Sequence, residues 1–431
     1  MKKAMVFGAG ISGVGAKKLL ESIHYDVILV DDKVGLSSVE AIDYLDEIEV
    51  FIKSPGVPYN KLVLEAQKKE IKVIDEIELC YEYMVQYNVS TKIIAVTGTN
   101  GKTTTTTKIA ELLKYSGHKA EYAGNIGRSF AELLLERKEL EYIVLELSSF
   151  QLENLIDFRP FISMIINLTP DHLVRYGSIG EYYDTKFNIC KNQDEREYFL
   201  VNSDCEEIIK REELIFGQKI ELSQYIRRDC YVQNGKLYWK EEEILEVEKL
   251  SLKGRHNLEN VLFVVATAKL CGIESEKIKE FLYTTKTLEH RMENFFEYGK
   301  IKFINDSKGT NIESTAFAIE AFQKCILICG GYDKKLDWTP LVKLIEKYVS
   351  CVYLIGEIAD ELNMKLLKEG YENVYLLREL KPCLEDIKRR FSKYEERVVL
   401  FSPATSSYDQ FKNFEHRGNV FKELVKDIFG R

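Results

Sequence analysis

Long proline-rich linkers, long apolar runs, paired cysteines and an excess of positive charge are all missing from this sequence. Its 431 residues include only 7 prolines, and no apolar stretch approaches the roughly 18 residues that a membrane-spanning helix needs. Lys and Arg number 60 against 69 Asp and Glu, which leaves a formal net charge of −9. A chain with this charge is not built to grip nucleic acid or anionic lipid nonspecifically, although it is compatible with a local basic pocket for a small anion.

The cysteines are scattered, and none of them forms a Cys-x-x-Cys pair. Their odd number, 9, without framework spacing is typical of a reducing compartment. Cys325 and Cys329 lie in the apolar run CILICG and are expected to be packing residues rather than ligands. The N-terminal MKKAMVFGAGISGVGA superficially resembles a signal peptide, but its glycines fall where a nucleotide-binding turn needs them. We therefore expect a cytoplasmic protein.

Strand-like apolar runs alternate with helix-length segments along almost the whole chain, which predicts an α/β fold with parallel sheets covered on both faces. The runs form three series: AMVF (4–7), DVILV (26–30) and VFIK (50–53); KIIAVTG (92–98), YIVLEL (142–147) and ISMIIN (162–167); IKFIND (301–306), CILICG (325–330), CVYLIG (351–356) and RVVLFS (397–402). We predict three domains, a Rossmann-like one at 1–90, a central P-loop-type parallel sheet at 91–286 and a Rossmann-like one at 287–431. Asn234-Gly235 predicts a type I′ hairpin and hence a small antiparallel insertion in the central domain.

A glycine-rich turn, Gly8-Ala9-Gly10-Ile11-Ser12-Gly13, follows the first strand and precedes a helix. Its glycines permit a tight turn and the approach of a phosphate, and Asp31 ends the second strand, where an acid can bind ribose. The pattern fits a dinucleotide or a UDP-sugar, and it also fits a merely tight strand-to-helix turn.

A second glycine turn is the strongest motif in the chain. Gly98-Thr99-Asn100-Gly101-Lys102-Thr103-Thr104 follows a strand and opens a helix. Backbone N–H groups and the Lys102 ammonium would hold the β- and γ-phosphates of a nucleotide, and the Thr103 hydroxyl would reach Mg²⁺. The spacing departs from the general P-loop, because two residues rather than four separate the first glycine from the Gly-Lys pair.

Polar residues follow further strands. Glu146 ends YIVLEL, where a carboxylate can hold Mg²⁺, although a surface acid would look the same. His172, in NLTPDH, lies at a strand's carboxyl end, where open α/β sheets bind ligands, although a single histidine is usually structural. Lys186 by itself is typical of a solvated helix lysine. In the last series, NDSKGTN (305–311) is either a site loop or a helix cap. GGYDKK (330–335) is another glycine turn, and its cations suit an anion or an acidic substrate. SPATSSYD (402–409) is a further strand-to-helix loop.

Taken together, these strings resemble the Mur ligases, and within them the branch that adds D-glutamate. The resemblance runs through all three predicted domains and rests on GTNGKTTT (98–105), GNIG (124–127), ELSSFQL (146–152), NLTPDH (167–172), NDSKGTN (305–311) and SPATSSYDQFKNFEHRG (402–418). Two positions depart from it: Gly309 stands where alanine is frequent, and Val174 stands where an acid is common.

The resemblance implies a role for each candidate residue. The UDP-sugar would be bound by Ile11, Ser12, Asp31, Asp32, Lys33 and Gly56, with Asn125 and His172 also contacting substrate. ATP would lie on the 98–104 loop, helped by Asn257, Arg291, Asp306 and Lys308. Two Mg²⁺ ions would be held through Thr103, Glu146, His172 and a carbamylated Lys186. D-glutamate would be held by Thr310, Lys334, Ser407, Tyr408 and Phe414, while Lys102, His172 and Lys186 would be the catalytic residues.

The implied activity is ATP-dependent ligation in cytoplasmic peptidoglycan synthesis. The alanyl carboxylate of UDP-N-acetylmuramoyl-L-alanine would be phosphorylated to an acyl phosphate and then attacked by the amine of D-glutamate. We expect a monomer with these small-molecule partners, without nucleic acid and without stable membrane contact.

Three other interpretations stay open at this point. A dehydrogenase would explain the first glycine turn and Asp31 but leaves the 98–104 loop and the third domain unexplained. A folylpolyglutamate synthase or another Mur ligase would share the central motifs. A non-enzymatic ATP-binding switch would use the same loop without forming a product.

Overall fold

The computed structural model of the protein describes residues 2–136, 139–170 and 175–430. The chain divides into two compact units, Met1–Thr285 and Lys286–Arg431, which we call the first and second units. The first unit contains two β-sheets and the second unit contains one, so there are three sheets in the described residues. The domain boundaries drawn from the sequence remain predictions.

The first sheet is fully parallel, with the strand order β2-β1-β3-β4. Its strands are β1 (Lys3–Phe7), β2 (Asp26–Val30), β3 (Val50–Lys53) and β4 (Lys72–Ile74). Its helices are α1 (Ile11–Ser22), α2 (Lys61–Lys68), α3 (Glu76–Gln86) and the 3₁₀ helix Glu40–Glu47. Apolar strands joined through helices can pack helices on both faces, which explains why the central strands β1 and β3 are almost wholly buried, whereas the edge strands β2 and β4 are only partly buried.

The second sheet has nine strands in the order β13-β12-β11-β10-β9-β8-β5-β7-β6. Its strands are β5 (Lys92–Thr97), β6 (Ala120–Gly124), β7 (Tyr142–Glu146), β8 (Ile162–Ile165), β9 (Tyr198–Asn202), β10 (Gln218–Ser223), β11 (Cys230–Gln233), β12 (Lys236–Trp239) and β13 (Glu242–Glu246). Its helices are α4 (Lys102–Tyr115), α5 (Phe130–Leu135), α6 (Ile179–Phe187), α7 (Glu206–Ile209), α8 (Arg255–Leu270) and α9 (Ser275–Thr284), with short 3₁₀ helices at Ser149–Leu152, Glu212–Leu214 and Val247–Lys249.

The hairpin between β11 and β12 confirms the antiparallel prediction. Asn234 and Gly235 have φ angles of 51° and 74°, and positive φ at both central residues is the signature of a type I′ turn. Strands β11, β12 and β13 pair antiparallel and continue the edge of the parallel sheet.

A continuous hydrophobic core explains why the first two sheets form one compact unit. Leu19 and Ile52 of the first sheet's layer belong to the same buried cluster as Phe130 and Leu147 of the second. Helix α1 packs so closely on the start of α5 that a Cβ at Gly15 would lie 2.2 Å from the Ser129 hydroxyl. The two sheets therefore share one buried apolar cluster.

The second unit holds a six-stranded sheet in the order β14-β15-β19-β16-β17-β18, parallel except for β14. Its strands are β14 (Glu293–Tyr298), β15 (Ile301–Asn305), β16 (Cys325–Gly330), β17 (Val349–Ile355), β18 (Val374–Arg378) and β19 (Arg397–Phe401). Its helices are α10 (Ile312–Ala321), α11 (Thr339–Tyr348), α12 (Ala359–Lys368), α13 (Leu380–Arg390) and α14 (Phe414–Phe429). Cys325 and Cys329 are fully buried in β16, and all nine cysteines are free, so their prediction as packing residues is confirmed.

No helix in the described part of the chain is both long enough and apolar enough to span a bilayer.

Candidate active site

The strand order of the second sheet places four polar segments side by side. Strands β9, β8, β5 and β7 are neighbours and parallel, so their carboxyl ends share one edge. In that order the edge carries Asn202, Asn167, the loop that begins at Gly98, and Glu146. The edge of an open α/β sheet outside the strands' carboxyl ends is where such folds bind ligands.

The loop from Gly98 to Gly101, which we call the phosphate loop, is a tight turn between β5 and α4. Gly98 and Gly101 have φ angles of 146° and 84°, which favour glycine strongly. A Cβ at Gly101 would lie 2.2 Å from the Asn260 Oδ1 atom. Helix α4 begins at Lys102, so the N–H groups of its first turn and its dipole favour an anion at this end.

Two lysines that are far apart in the sequence meet at the phosphate loop. Lys102 Nζ donates to the carbonyl oxygens of Gly98 and Thr99, both at 2.8 Å. Lys186 Nζ, from α6, lies 3.2 Å from the same Gly98 oxygen and 4.8 Å from the centre of the Tyr182 ring. Lys186 is only 1% exposed, so it is not the solvated lysine that its sequence neighbourhood alone suggests.

Glu146 fits a magnesium ligand. Its side chain is buried at the end of β7, its Oε1 accepts a hydrogen bond of 2.9 Å from Asn125 Nδ2, and its Oε2 has no hydrogen-bond partner within the described residues. A buried carboxylate oxygen without a donor costs free energy unless a cation or water satisfies it. Thr103 is buried in the first turn of α4, where a P-loop hydroxyl binds the ion.

The described ranges contain no group of three or more His, Cys, Asp or Glu side chains placed to hold a metal ion.

The segment after β8 is joined to the phosphate loop. Thr99 Oγ1 donates to the Thr169 carbonyl and accepts from the Thr169 N–H, both at 3.1 Å. The Thr99 N–H donates to the Asn167 carbonyl at 3.0 Å. His172, predicted to contact substrate and metal, lies outside the described residues.

Helix α8 contributes residues next to the loop. Asn260, which the sequence reading missed, accepts a hydrogen bond of 3.2 Å from Thr105 Oγ1 and packs on Gly101. Asn257, a predicted nucleotide contact, is buried one turn earlier, and its Nδ2 donates to the Lys253 carbonyl at 2.8 Å. The family resemblance implied Asn257 alone, and no local pattern in the sequence shows which face of α8 meets the loop.

The turn after β1 is organised by Asp31. The Asp31 carboxylate accepts the Ala9 N–H at 2.8 Å and the Lys33 N–H at 2.9 Å, and these bonds hold the pKa of the carboxyl below its ordinary value. Gly8, with φ of 106°, lies so close to Ser54 that a Cβ would be 2.8 Å from it. The first turn and the turn after β3 therefore lie together.

The remaining predicted UDP-sugar residues surround these turns. Ile11 is 63% exposed. Asp32 accepts the Ser38 N–H at 2.7 Å, Lys33 is exposed, and a Cβ at Gly56 would meet no atom within 4 Å. Ser12 lies at the start of α1, where its hydroxyl is close enough to Glu76 to oppose the rise that burial produces in the pKa of that carboxyl.

In the second unit, the loops after β15, β19 and β16 also lie at neighbouring strand ends. Asp306, directly after β15, is buried, and burial raises the pKa of its carboxyl to about 6. Its Oδ2 accepts from Ser402 Oγ at 2.6 Å, and its Oδ1 accepts the Met292 N–H at 3.1 Å. Arg291 is near enough for its positive charge to oppose the rise in that pKa.

The predicted nucleotide and D-glutamate residues of this unit are partly brought together. Lys308 Nζ lies 5.1 Å from the Phe414 ring, and Lys334 Nζ donates to the Thr310 carbonyl at 2.9 Å. Ser407 is buried, whereas Tyr408 is 69% exposed. Asn311 caps α10 by accepting the Ser314 N–H at 2.8 Å, so the loop 305–311 also serves as a helix cap.

Arg417 is a buried residue that sequence reasoning passed over. Its guanidinium donates to the Thr405 carbonyl at 3.0 Å and to the Ser307 carbonyl at 2.7 Å, and burial lowers its pKa to about 10. It remains charged at neutral pH and holds the loops after β15 and β19 together. Its position in the string FEHRG was a signal, but its burial is a tertiary property.

Comparison with known proteins agrees with this geometry. Residues 96–268, which contain the phosphate loop, Glu146 and Lys186, match the family described as the Mur ligase middle domain. A UDP-N-acetylmuramoylalanine--D-glutamate ligase of Fusobacterium nucleatum subsp. nucleatum is 56% identical over 432 residues, which is 100% of both chains. The chain belongs to the Mur ligase family, in the branch of these D-glutamate ligases.

Solved structures of other Mur ligases share the fold. A MurF from Acinetobacter baumannii superposes with a TM-score of 0.66 at 17% identity, covering 91% of this chain and 88% of that one. A MurF from Thermotoga maritima, crystallised with ADP, gives 0.59 at 16% identity and covers 90% and 92%. These likenesses confirm the predicted α/β architecture of this Mur ligase.

Proposed function

We propose that this Mur ligase joins D-glutamate to UDP-N-acetylmuramoyl-L-alanine, using ATP, in the cytoplasmic assembly of peptidoglycan precursors. The observation that carries the proposal is the convergence of Lys102 and Lys186 on the Gly98 carbonyl, beside Glu146, in a chain whose full-length relative bears the name of this reaction. The Lys102 ammonium and the N-terminus of α4, together at one sheet edge, suit a triphosphate.

The reaction needs ATP because a carboxylate has a poor leaving group and does not condense with an amine in water. The γ-phosphoryl group passes from ATP to the alanyl carboxylate, which gives an acyl phosphate and releases ADP. The D-glutamate amine attacks the carbonyl carbon of this acyl phosphate, a tetrahedral intermediate forms, the nitrogen loses a proton, and phosphate leaves as the amide forms. In such transfers the protein positions the groups and neutralises charge.

Lys102 and the N–H groups of the phosphate loop would position the phosphates. The loop is held by the Thr99 bonds to residues 167 and 169 and by the packing of Gly101 on Asn260. Donors that are already oriented need no reorganisation when charge builds up in the transition state. When bound, Mg²⁺ would neutralise the phosphate charge, with Glu146 and Thr103 as the residues that hold it.

Lys186 and His172 are proposed to serve a second ion. A lysine carbamate is an anionic oxygen ligand of the kind Mg²⁺ prefers, whereas an ammonium is not. The burial of Lys186 against Tyr182 and its position at the phosphate loop support this role.

The other substrates are assigned by the loops that match the family strings. The turns around Gly8, Asp31 and Gly56 would hold the UDP-sugar, with Asn125 beside Glu146 contacting the substrate. Thr310, Lys334, Ser407, Tyr408 and Phe414 of the second unit would hold D-glutamate, while Asn257, Arg291, Asp306 and Lys308 would place the nucleotide.

Phosphate release tests the proposal. The enzyme is incubated with Mg-ATP and UDP-N-acetylmuramoyl-L-alanine and a panel of D- and L-amino acids, and the product is weighed by mass spectrometry. We expect phosphate in step with product for D-glutamate alone. Phosphate release with a different amino acid would show that the protein is a ligase of different specificity, and the absence of product with every amino acid would favour an ATP-binding switch. Binding of a nicotinamide cofactor would instead support the dehydrogenase interpretation.

A further inference from the structure

Glu259, Asn167 and Asn202, none of which has an assigned role in the reaction, form a hydrogen-bond network next to the phosphate loop. Its centre is Glu259 on α8, and its arms are Asn167 after β8 and Asn202 at the end of β9. Glu259 Oε2 accepts from Asn167 Nδ2 at 2.8 Å, and Glu259 Oε1 accepts from Asn202 Nδ2 at 2.9 Å. The carboxylate thus receives one amide from each of two neighbouring strand ends.

Asn202 cannot turn its amide over. Its Nδ2 also donates to the Ile166 carbonyl at 2.7 Å, and its Oδ1 accepts the Asp204 N–H at 3.0 Å. A flipped amide would place oxygen against oxygen and N–H against N–H, and a buried donor or acceptor without a hydrogen-bond partner costs free energy. Asn202 is 3% exposed, so water does not relieve the mismatch.

Asn167 is oriented by Glu259 and in turn orients the phosphate loop. Its Nδ2 points at Glu259 Oε2, which leaves its Oδ1 to accept the Asn100 N–H at 2.9 Å. A carboxylate accepts hydrogen bonds and cannot donate them, so it permits one orientation of the Asn167 amide. That orientation is the one that fixes the backbone at Asn100, in the middle of the loop.

We propose that Glu259 is a positioning residue for triphosphate binding, acting through the Asn167 amide on the Asn100 N–H and hence on the shape of the phosphate loop. The inference deepens the proposed function, because it rests on ATP binding at this loop. A loop that already has its binding conformation before the ligand arrives loses less conformational entropy on binding, so the ligand binds more tightly.

Substitution of Glu259 by glutamine tests this mechanism without changing the size of the side chain. Glutamine has one oxygen and one NH₂ group, and the oxygen must face Asn202 to accept its hydrogen bond. The NH₂ group of the glutamine then faces Asn167, so the Asn167 amide must flip to accept from it. After that flip, the Asn167 NH₂ group faces the Asn100 N–H, which loses its acceptor. We expect Glu259→Gln to weaken Mg-ATP binding about 10- to 100-fold, the effect of one polar mismatch in a partly buried site.

The double variant Glu259→Gln/Asn167→Asp should recover Mg-ATP binding. An aspartate at 167 accepts from the glutamine NH₂ group on one oxygen and from the Asn100 N–H on the other. Asn167→Asp alone should be impaired, since two carboxylates would then face each other. This pattern, in which two impaired singles combine into a better double, is not expected if Glu259 merely supports the fold.

The experiment measures Mg-ATP binding by calorimetry on the full chain, together with melting temperature and binding of UDP-N-acetylmuramoyl-L-alanine. Glu276→Gln, an exposed residue of α9, is the matched control and should bind ATP like the wild type. Recovery in the double variant, with UDP-sugar binding unchanged in all variants, supports the proposal. Wild-type ATP affinity in Glu259→Gln, or a double variant no better than the single ones, overturns it.

The readout separates this inference from the ligase assignment. A wild type that binds Mg-ATP but makes no product with D-glutamate would refute the ligase, while the Glu259 series would still decide the positioning role. A wild type that does not bind Mg-ATP would overturn both.

Discussion

Glu76 offers a quantitative test of how the two sheets of the first unit are joined. It is the first residue of α3 and is 1% exposed, and its Oε1 accepts the Ala131 N–H in the first turn of α5 at 2.7 Å. Its Oε2 has no hydrogen-bond partner within the described residues. Burial raises the pKa of this carboxyl from 4.5 to about 7, against the opposing effects of the Ala131 N–H and the nearby hydroxyls of Ser129 and Ser12.

The raised pKa of Glu76 determines whether the free energy of unfolding rises or falls with pH. Between pH 4.5 and 7 the folded chain holds a proton at Glu76 that the unfolded chain has released, so stability falls as the pH rises through this window. Each pH unit between the two pKa values is worth about 1.4 kcal/mol. Glu76 alone should therefore lower the free energy of unfolding by about 3 kcal/mol between pH 4 and pH 8.

Glu76→Gln should remove this dependence, because the amide is neutral and its oxygen can still accept the Ala131 N–H. Relative to wild type, the variant should gain about 3 kcal/mol between pH 4 and pH 8. The assay is urea unfolding followed by the fluorescence of Trp239, which lies in the same unit, in a Trp338→Phe background. Glu65→Gln is the partly exposed control and should show a small effect of opposite sign, because the Lys68 hydrogen bond lowers the pKa of Glu65. A difference between Glu76→Gln and wild type that stays constant with pH would refute the reasoning.

Three further predictions concern the phosphate loop. Lys102→Ala should slow acyl phosphate formation about 100-fold or more while UDP-sugar binding is retained, and equal loss of both in turnover and calorimetric assays would count against the assignment. Lys186→Ala should be inactive but partly rescued by added short carboxylates in the phosphate-release assay, and no rescue at any concentration would contradict the carbamate. Gly101→Ala should lose Mg-ATP binding and about 1–2 kcal/mol of stability, since φ is 84° and the new Cβ would meet Asn260, and unchanged calorimetry and urea unfolding would show that the turn is not strained.

Several elements were predictable almost to the residue. Strands β2, β3 and β16 coincide with the runs DVILV, VFIK and CILICG, because unbroken β-branched and apolar runs have few other ways to be buried. Strands such as β4 (Lys72–Ile74) and β6 (Ala120–Gly124) were missed, since KVI is very short and AEYAG contains few strong strand formers. Tertiary pairing with a neighbouring strand decides such segments.

The candidate site, too, contains residues that local sequence patterns predict and residues that they do not predict. The phosphate loop and Glu146 could be found from sequence, because a glycine turn after a strand and an acid at a strand end are local patterns. Lys186 needed the family resemblance, and Glu259, Asn202 and Arg417 were passed over altogether. Their importance comes from contacts across long sequence separations, which no local pattern records.

The amino-acid order by itself determined the α/β class, the three strand series, the type I′ hairpin at Asn234-Gly235 and the phosphate-binding turn, since each depends on neighbours within a few positions. Folding decided the order of strands in each sheet, the common core beneath the first two sheets and the meeting of Lys186 with the Gly98 carbonyl. The physical reason is that burial and hydrogen bonding between distant segments depend on how the whole chain packs, and only that packing chooses which side chains face one another.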